Sequence, residues 1–189
     1  MSDGDNVAIW AKRWEQRAIG FHLNHLNPCI QKNLELWLGP APTLPADDSK
    51  FNTVPQNTKR IFFPLCGKTL DMAILSKMGY YVGGLEGVNT AIKEFAVEND
   101  IELTQEHPDN VLPGLKGAFD VYEGKRVRLF VGDFFKWPTT DQYSVEELKK
   151  MGVAELYDAA FDRGSLVAID PHLRKDYVKV STRSGIGCK

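Results

Sequence analysis

Residues Arg60 to Glu86, RIFFPLCGKTLDMAILSKMGYYVGGLE, constrain the chain more than any other stretch. A short apolar run, Ile61 to Leu65, ends at Gly67. A helical pattern follows, with Leu70, Ala73, Ile74 and Met78 spaced as one face of a helix, and Gly79 stops it. A second apolar run, Tyr80 to Leu85, closes on an acid, Glu86. Strand, glycine turn, helix, strand and carboxylate make up the first half of an α/β sheet of the nucleoside-binding kind. The acid stands close to the roughly 20-residue separation at which a carboxylate on the tip of the second strand meets a ribose diol. The same spacing also fits an ordinary βαβ unit whose glycine only turns the chain.

The turn holds one glycine instead of a G-x-G-x-x-G set, and no G-x-x-x-x-G-K-[ST] occurs. Three glycines let a backbone close on a pyrophosphate, whereas a single one suits a ligand without phosphates. S-adenosyl-L-methionine is such a ligand, an adenosine carrying a charged sulfonium amino acid. An oxidoreductase of the NAD type is disfavoured on the same ground.

The rest of the composition narrows the setting. A chain of 189 residues favours one domain, and 43% hydrophobic with 25% charged residues fits a globular protein. A net charge of -2 gives no electrostatic case for nucleic acid or an anionic membrane. No apolar run approaches the ~18 residues of a membrane span, and MSDGDNVAIW does not read as a signal peptide. Cys29, Cys66 and Cys188 are odd in number and unpatterned, which points to a reducing cytoplasm. Cys66 reads as a small apolar residue facing the sheet. His22, His25, His107 and His172 do not pair with cysteines at zinc spacing, so no metal is expected.

Residues 1–38 read as helical and aromatic, with Trp10, Trp14 and Phe21 along one side and a second helix over Cys29 to Leu38 after Pro28. Residues 39–58 form a Pro-rich loop. Asn89 to Asn99 reads as a helix with Ile92, Phe95 and Ala96 inward and Asn89 or Thr90 as cap. Residues 104–124 look like loop with a short strand near Phe119 to Tyr122. Val127 to Val131 is a strand ending in GDFF, and Ser144 to Met151 a helix with a Ser144–Glu147 capping box. Tyr157 to Phe161 reads as a strand placing Tyr157, Ala159 and Phe161 on one face, and Asp170-Pro171 starts a last helix. Three acids, Glu86, Asp133 and Asp162, thus follow strand ends, where the ligand crevice of an open α/β sheet lies. Turns after strands are also rich in acids for reasons of their own.

FFPLCGK at 62–68, VGGLEG at 82–87, GDFF at 132–135 and DRGSLVAI at 162–169 occur in this order, with Trp10, Trp14 and the Phe21-His22 pair upstream. Together they resemble the thiopurine S-methyltransferase family, class I enzymes that use S-adenosyl-L-methionine, from about Trp10 to Tyr177. The resemblance implies an S-methyltransferase acting on the thiol of small aromatic or heterocyclic compounds. It implies an N-terminal lid that brings Trp10, Trp14 and Phe21 over the cofactor. Leu65 and Gly67 would line its amino-acid end, Glu86 would take the ribose hydroxyls, and Asp133 and Phe134 would hold the adenine. Arg163 would sit between cofactor and substrate as the catalytic candidate, with Phe21 beside it on the substrate side. Complete relatives are expected to be monomeric.

The implied architecture is α/β: a Rossmann-like class I methyltransferase sheet of strand order 3-2-1-4-5-7-6, with helices on both faces. Four strands are readable here, and strands 5–7 have no residues to make them, since only VKVSTRSGIGCK follows Tyr177. The expected organisation is one truncated domain over 1–189. It comprises a lid over 1–38, the Pro-rich loop over 39–58, an α/β core over 59–179 and an atypical tail over 180–189. The alternative to the enzyme is a noncatalytic truncated form that keeps the cofactor residues or pairs with another chain through its open edge. Such an edge predicts a chain prone to aggregate.

Overall fold

The computed structural model describes residues 3–40, 42, 58–107, 117–150 and 157–184. The expected Pro-rich loop therefore falls mostly outside the described residues. Helices α1 (Asp3–Glu15) and α2 (Pro28–Leu38) precede the sheet. Then follow β1 (Arg60–Pro64), α3 (Leu70–Lys77), β2 (Tyr81–Glu86), α4 (Asn89–Asn99), β3 (Thr104–Glu106), β4 (Phe119–Gly124) and β5 (Val127–Gly132). A 3₁₀ turn over Phe134–Lys136, α5 (Val145–Lys150), β6 (Ala159–Ala160), α6 (Ser165–Ala168), a second 3₁₀ turn over Pro171–Leu173 and α7 (Arg174–Arg183) complete the order. Among the described residues no helix is long and apolar enough to cross a membrane.

The strands lie in the order β3-β4-β5-β2-β1-β6. β5, β2, β1 and β6 run parallel; β3, β4 and β5 pair antiparallel. β1 and β2 sit between layers on both faces, so every residue of β2 is buried and the sequence shows a continuous apolar run there. Side-chain alternation divides the core. Ile61, Phe63, Val82 and Leu129 pack under α2, α3 and α4 with Met72, Leu75, Ile92 and Phe95. Phe62, Tyr81 and Phe130 point to the other face, with Trp137, Ile169 and Tyr177. Each fully buried side chain of this size stabilises by about 1.5–3 kcal/mol. β4 alternates buried and exposed, as a strand covered on one side does.

Several sequence expectations meet a different arrangement. The stretch read as loop over 104–124 contains β3 and a β4 reaching Gly124, joined to β5 by a tight turn with Arg126 in the left-handed region, φ 57°. Lys125-Arg126 carries none of the Asn-Gly chemistry that announces such a hairpin. The expected inward face of α3 is rotated: Asp71, Met72, Ala73, Leu75 and Ser76 are buried, while Leu70, Ile74 and Met78 are half-buried. This helix is covered on two sides, and Asp71 is held inside by the Asn27 backbone N–H at 2.7 Å and the Thr69 hydroxyl at 2.9 Å. Neither Asn89 nor Thr90 caps α4; Val88 occupies that place without a side-chain bond. Ile92 and Phe95 are buried as expected, with Ala91 in place of the half-buried Ala96.

The fourth parallel strand is shorter than Tyr157–Phe161, and its residues do not share one face. Ala159 packs on the α3 side, while the Tyr157 ring joins Phe62 on the other, centroids 4.8 Å apart. That ring crosses β2 at Gly83, where a Cβ would stand 2.0 Å from the Tyr157 hydroxyl oxygen. The Ser144–Glu147 capping box and the Asp170 cap before Pro171 form as read. The last helix continues through the expected tail boundary to Arg183, with Val180 and Ser184 buried.

Candidate functional site

β1 and β2 deliver their carboxyl ends side by side, with Pro64 in register with Leu85. Beyond β1 the chain turns through Leu65 at φ 45° and Gly67 at φ 54°. A leucine in the left-handed region costs about 1–3 kcal/mol and persists only where neighbours fix it. Here the Cys66 N–H donates to the Leu85 carbonyl at 3.0 Å and the Gly67 N–H to Glu86 Oε2 at 2.9 Å. Glu86 Oε1 accepts the Val88 N–H at 3.0 Å, at the start of α4, where an anion is favoured. The carboxylate thus ties the turn after β1 to the turn after β2. Burial raises its pKa, and the amides of Gly67, Val88 and Gly87 offset part of that rise. A carboxylate has about four acceptor positions, so these amides leave capacity facing the cavity. Cys66 is buried in the core, and burial pushes its thiol well up, away from reactivity.

A cavity of about 420 Å³ opens at this sheet end. Trp10, Trp14, Phe21, Leu65, Gly67, Glu86 and Arg163 all line it. α1 forms its roof. Trp14 is buried against Ile19, Val88 and Ala91, and the Trp10 indole N–H donates to the Ala168 carbonyl at 2.9 Å. The helix therefore spans from the α4 side to the α6 side. Phe21 meets Trp10 edge to face at 5.7 Å and stays 45% exposed at the mouth, where Arg163 Nη1 donates to its carbonyl at 3.2 Å. His22 packs against Phe21 with the rings tilted by 36° and centroids 4.4 Å apart. Its Nδ1 lies 2.9 Å from the Ile19 carbonyl, and Nε2 accepts the Lys68 N–H at 3.3 Å, which fits a neutral ring. Desolvation lowers its pKa, outweighing the Ile19 contact. A smaller pocket of about 50 Å³ adjoins, sharing Phe21, Leu65 and Arg163 with the cavity.

Asp133 and Phe134 are not among the lining residues. Asp133 caps the 3₁₀ turn by accepting the Phe135 N–H at 3.0 Å, and Phe134 is buried, stacked on Tyr177 at 4.7 Å. Asp162, the third acid at a strand end, accepts the Tyr177 hydroxyl at 2.7 Å and the Ser165 N–H at 3.3 Å, joining α6 to α7. Of the three acids, Glu86 lines the cavity. Val7 also lines it, and extending the Trp10–Trp14 stripe back by three positions finds it. Gly87 sits against Val7, where a Cβ would be 3.3 Å from the valine methyl. Among the described residues no group of three or more His, Cys, Asp or Glu side chains converges as a metal site would.

The arrangement suits a nucleoside with a cationic, partly apolar tail: aromatic roof, glycine floor and one buried carboxylate at the end of the second parallel strand. The sequence is similar to that of known proteins of one family. The family model described as thiopurine S-methyltransferase matches residues 47–183. A thiopurine S-methyltransferase of Pseudomonas putida (strain GB-1) is 32% identical over 184 residues, 96% of this chain and 68% of that protein. The one from Shewanella baltica (strain OS223) is 31% identical over 171 residues, 90% of this chain and 62% of that protein. That of Psychrobacter cryohalolentis is 32% identical over 173 residues, 91% and 65%. The chain thus spans about 62% to 68% of the length of these curated relatives. With the family model covering most of its length and the motif residues gathered at one sheet edge, the chain belongs to the thiopurine S-methyltransferase family.

Proposed function

We propose that the cavity binds S-adenosyl-L-methionine and that the chain is built to methylate the sulfur of small aromatic or heterocyclic thiols in the cytoplasm. The observation that carries this reading is Glu86, a buried carboxylate at the tip of the second parallel strand, under an aromatic roof, in a chain of this family. Glu86 accepts hydrogen bonds from the ribose diol, charge-assisted on the protein side. Trp10, Trp14 and Phe21 present ring faces and edges to a positive charge and keep water out. The Leu65–Gly67 turn shapes the amino-acid end; Asp133 and Phe134, which the resemblance assigns to the adenine, lie outside the cavity lining and are assigned no contact to the cofactor. The acceptor sulfur approaches at the border of the smaller pocket and the cavity, where Phe21, Leu65 and Arg163 face both.

When bound, the cofactor would supply an electrophilic methyl group on a sulfonium sulfur for transfer to the acceptor sulfur, with the neutral thioether as leaving group. The thiol proton leaves to water before or during transfer, since Arg163 cannot take it. The Arg163 guanidinium favours the thiolate by charge and, through its bond to the Phe21 carbonyl, keeps the mouth aligned. The remaining contribution is alignment of the reacting atoms.

Calorimetric titration with S-adenosylhomocysteine, followed by a methylation assay with an aryl thiol, tests the proposal. Saturable binding at one site with turnover supports it. Binding without turnover establishes the noncatalytic alternative, and no binding overturns the cofactor assignment.

A further inference from the structure

Lys68 follows Gly67 in the turn after β1, yet it is not among the residues lining the cavity. Its ammonium is turned outward and enclosed, with 13% of the side chain exposed. Nζ donates to Glu94 Oε2 at 2.9 Å and to Glu98 Oε1 at 2.5 Å, both on α4. It stands 5.9 Å from the centre of the Trp14 ring on the roof helix. The Lys68 backbone N–H is bonded to His22, at the far end of the roof segment. Glu94 in turn takes Arg17 from the turn after α1 at 2.5 Å. Four parts of the molecule meet at this one residue: its side chain joins the glycine turn to α4 and α1, and its backbone N–H adds the segment around His22.

Two features make the junction depend on the charge. Glu94 and Glu98 are one helical turn apart on α4, a spacing at which like charges repel. Glu94 is only 16% exposed, and Arg17, its other partner, is 69% exposed and screened by water. Lys68 is the enclosed cation between them. Removing its charge leaves Glu94 to the exposed Arg17 alone, restores its repulsion with the half-exposed Glu98, and takes from the roof its one enclosed cation contact to α4 among the described residues.

We infer that Lys68 is a positioning residue that locks the roof formed by α1 and its following turn onto the glycine turn and α4, so that roof and floor of the cavity close as one unit. The inference rests on the cavity being the cofactor site. It assigns the lysine of the PLCGK stretch to closure, with no contact to the ligand.

Three proteins test it: the wild type, Lys68→Met, which keeps an apolar stem near Trp14, and Lys68→Arg, which keeps the cation and can bond both glutamates. Amide exchange is followed without ligand, and S-adenosylhomocysteine affinity is measured by calorimetry. Lys68→Met is expected to exchange about tenfold faster or more over residues 6–22, the scale of a lost charge-assisted hydrogen bond, with residues 174–183 unchanged. Its affinity should weaken by about the same factor, and Lys68→Arg should recover most of both. Wild-type exchange over 6–22 in Lys68→Met overturns the inference. So does acceleration spread evenly into 174–183, which is plain destabilisation, or an arginine variant that behaves like the methionine one. A wild type that binds no S-adenosylhomocysteine but shows the exchange contrast refutes the cofactor reading and leaves the junction standing.

Discussion

Replacing Glu86 by glutamine keeps the volume of the side chain and removes its charge. Glu86→Gln is expected to weaken S-adenosylhomocysteine binding by about 1.5–3 kcal/mol, the range for a hydrogen bond to a charged group. An unchanged dissociation constant in a variant that melts like the wild type would take Glu86 out of the site. Burial raises the Glu86 pKa, so affinity should fall as pH is lowered through that raised value, where the carboxyl gains its proton, and Glu86→Gln should be flat there. The folding linkage has the opposite sign. This acid's contribution is fully present below its unfolded value of about 4.3 and declines as pH rises through the folded pKa. His22 behaves in mirror image. Burial depresses its pKa, so its contribution is full above the unfolded value of about 6.5 and is lost as pH falls from there through the lowered folded value. Thermal melts of wild type and His22→Gln between mildly acidic and neutral pH check this. The two curves should converge on the acid side, and parallel curves would show that His22 titrates without consequence.

At the scale of elements, the roof helix and the glycine turn are fitted to each other. Gly67 has φ 54°, and a Cβ there would stand 2.9 Å from His22 Nε2. Gly67→Ala should cost about 1–2 kcal/mol from the left-handed conformation alone and push His22 off its bond to Lys68. A melt reports the first effect, and faster amide exchange around residues 19–22 the second. An alanine variant with wild-type values of both would mean that the turn relaxes freely. Ligand should act in the opposite direction. S-adenosylhomocysteine is expected to slow exchange over residues 6–22 and to change Trp10 and Trp14 fluorescence, whereas identical traces would leave α1 an ordinary packed helix. The elements legible in the sequence are those whose burial is one-dimensional. β1, β2 and β5 are short apolar runs because they are covered on both faces. β3 is polar and at an edge, the β4–β5 turn lacks turn residues, and α3 is buried on two sides, so a single-face pattern misplaced its inward residues. At the cavity, the glycine and the acid were readable from spacing. The closure by Lys68, Glu94 and Glu98 was not, because it depends on α4 crossing the glycine turn in space.

For the whole molecule, the outer edge of β6 has no strand partner among the described residues, and Leu166, Val167 and Val178 are exposed at 43%, 83% and 47%. Unpaired edges and exposed apolar side chains recruit other chains. The 189-residue chain is therefore expected to elute from gel filtration as a self-associated species and to melt broadly. Elution as a monomer with a single cooperative transition would show that four parallel strands and the β3–β4 extension hold the fold unaided. One internal contact also bears on how such a sequence can vary. The Tyr157 ring occupies the space that any side chain at position 83 would need. Residue 157 must therefore become smaller before residue 83 can become larger, while the reverse order passes through a chain that cannot pack. Among descendants of this sequence, the two positions are open to change in one historical order only.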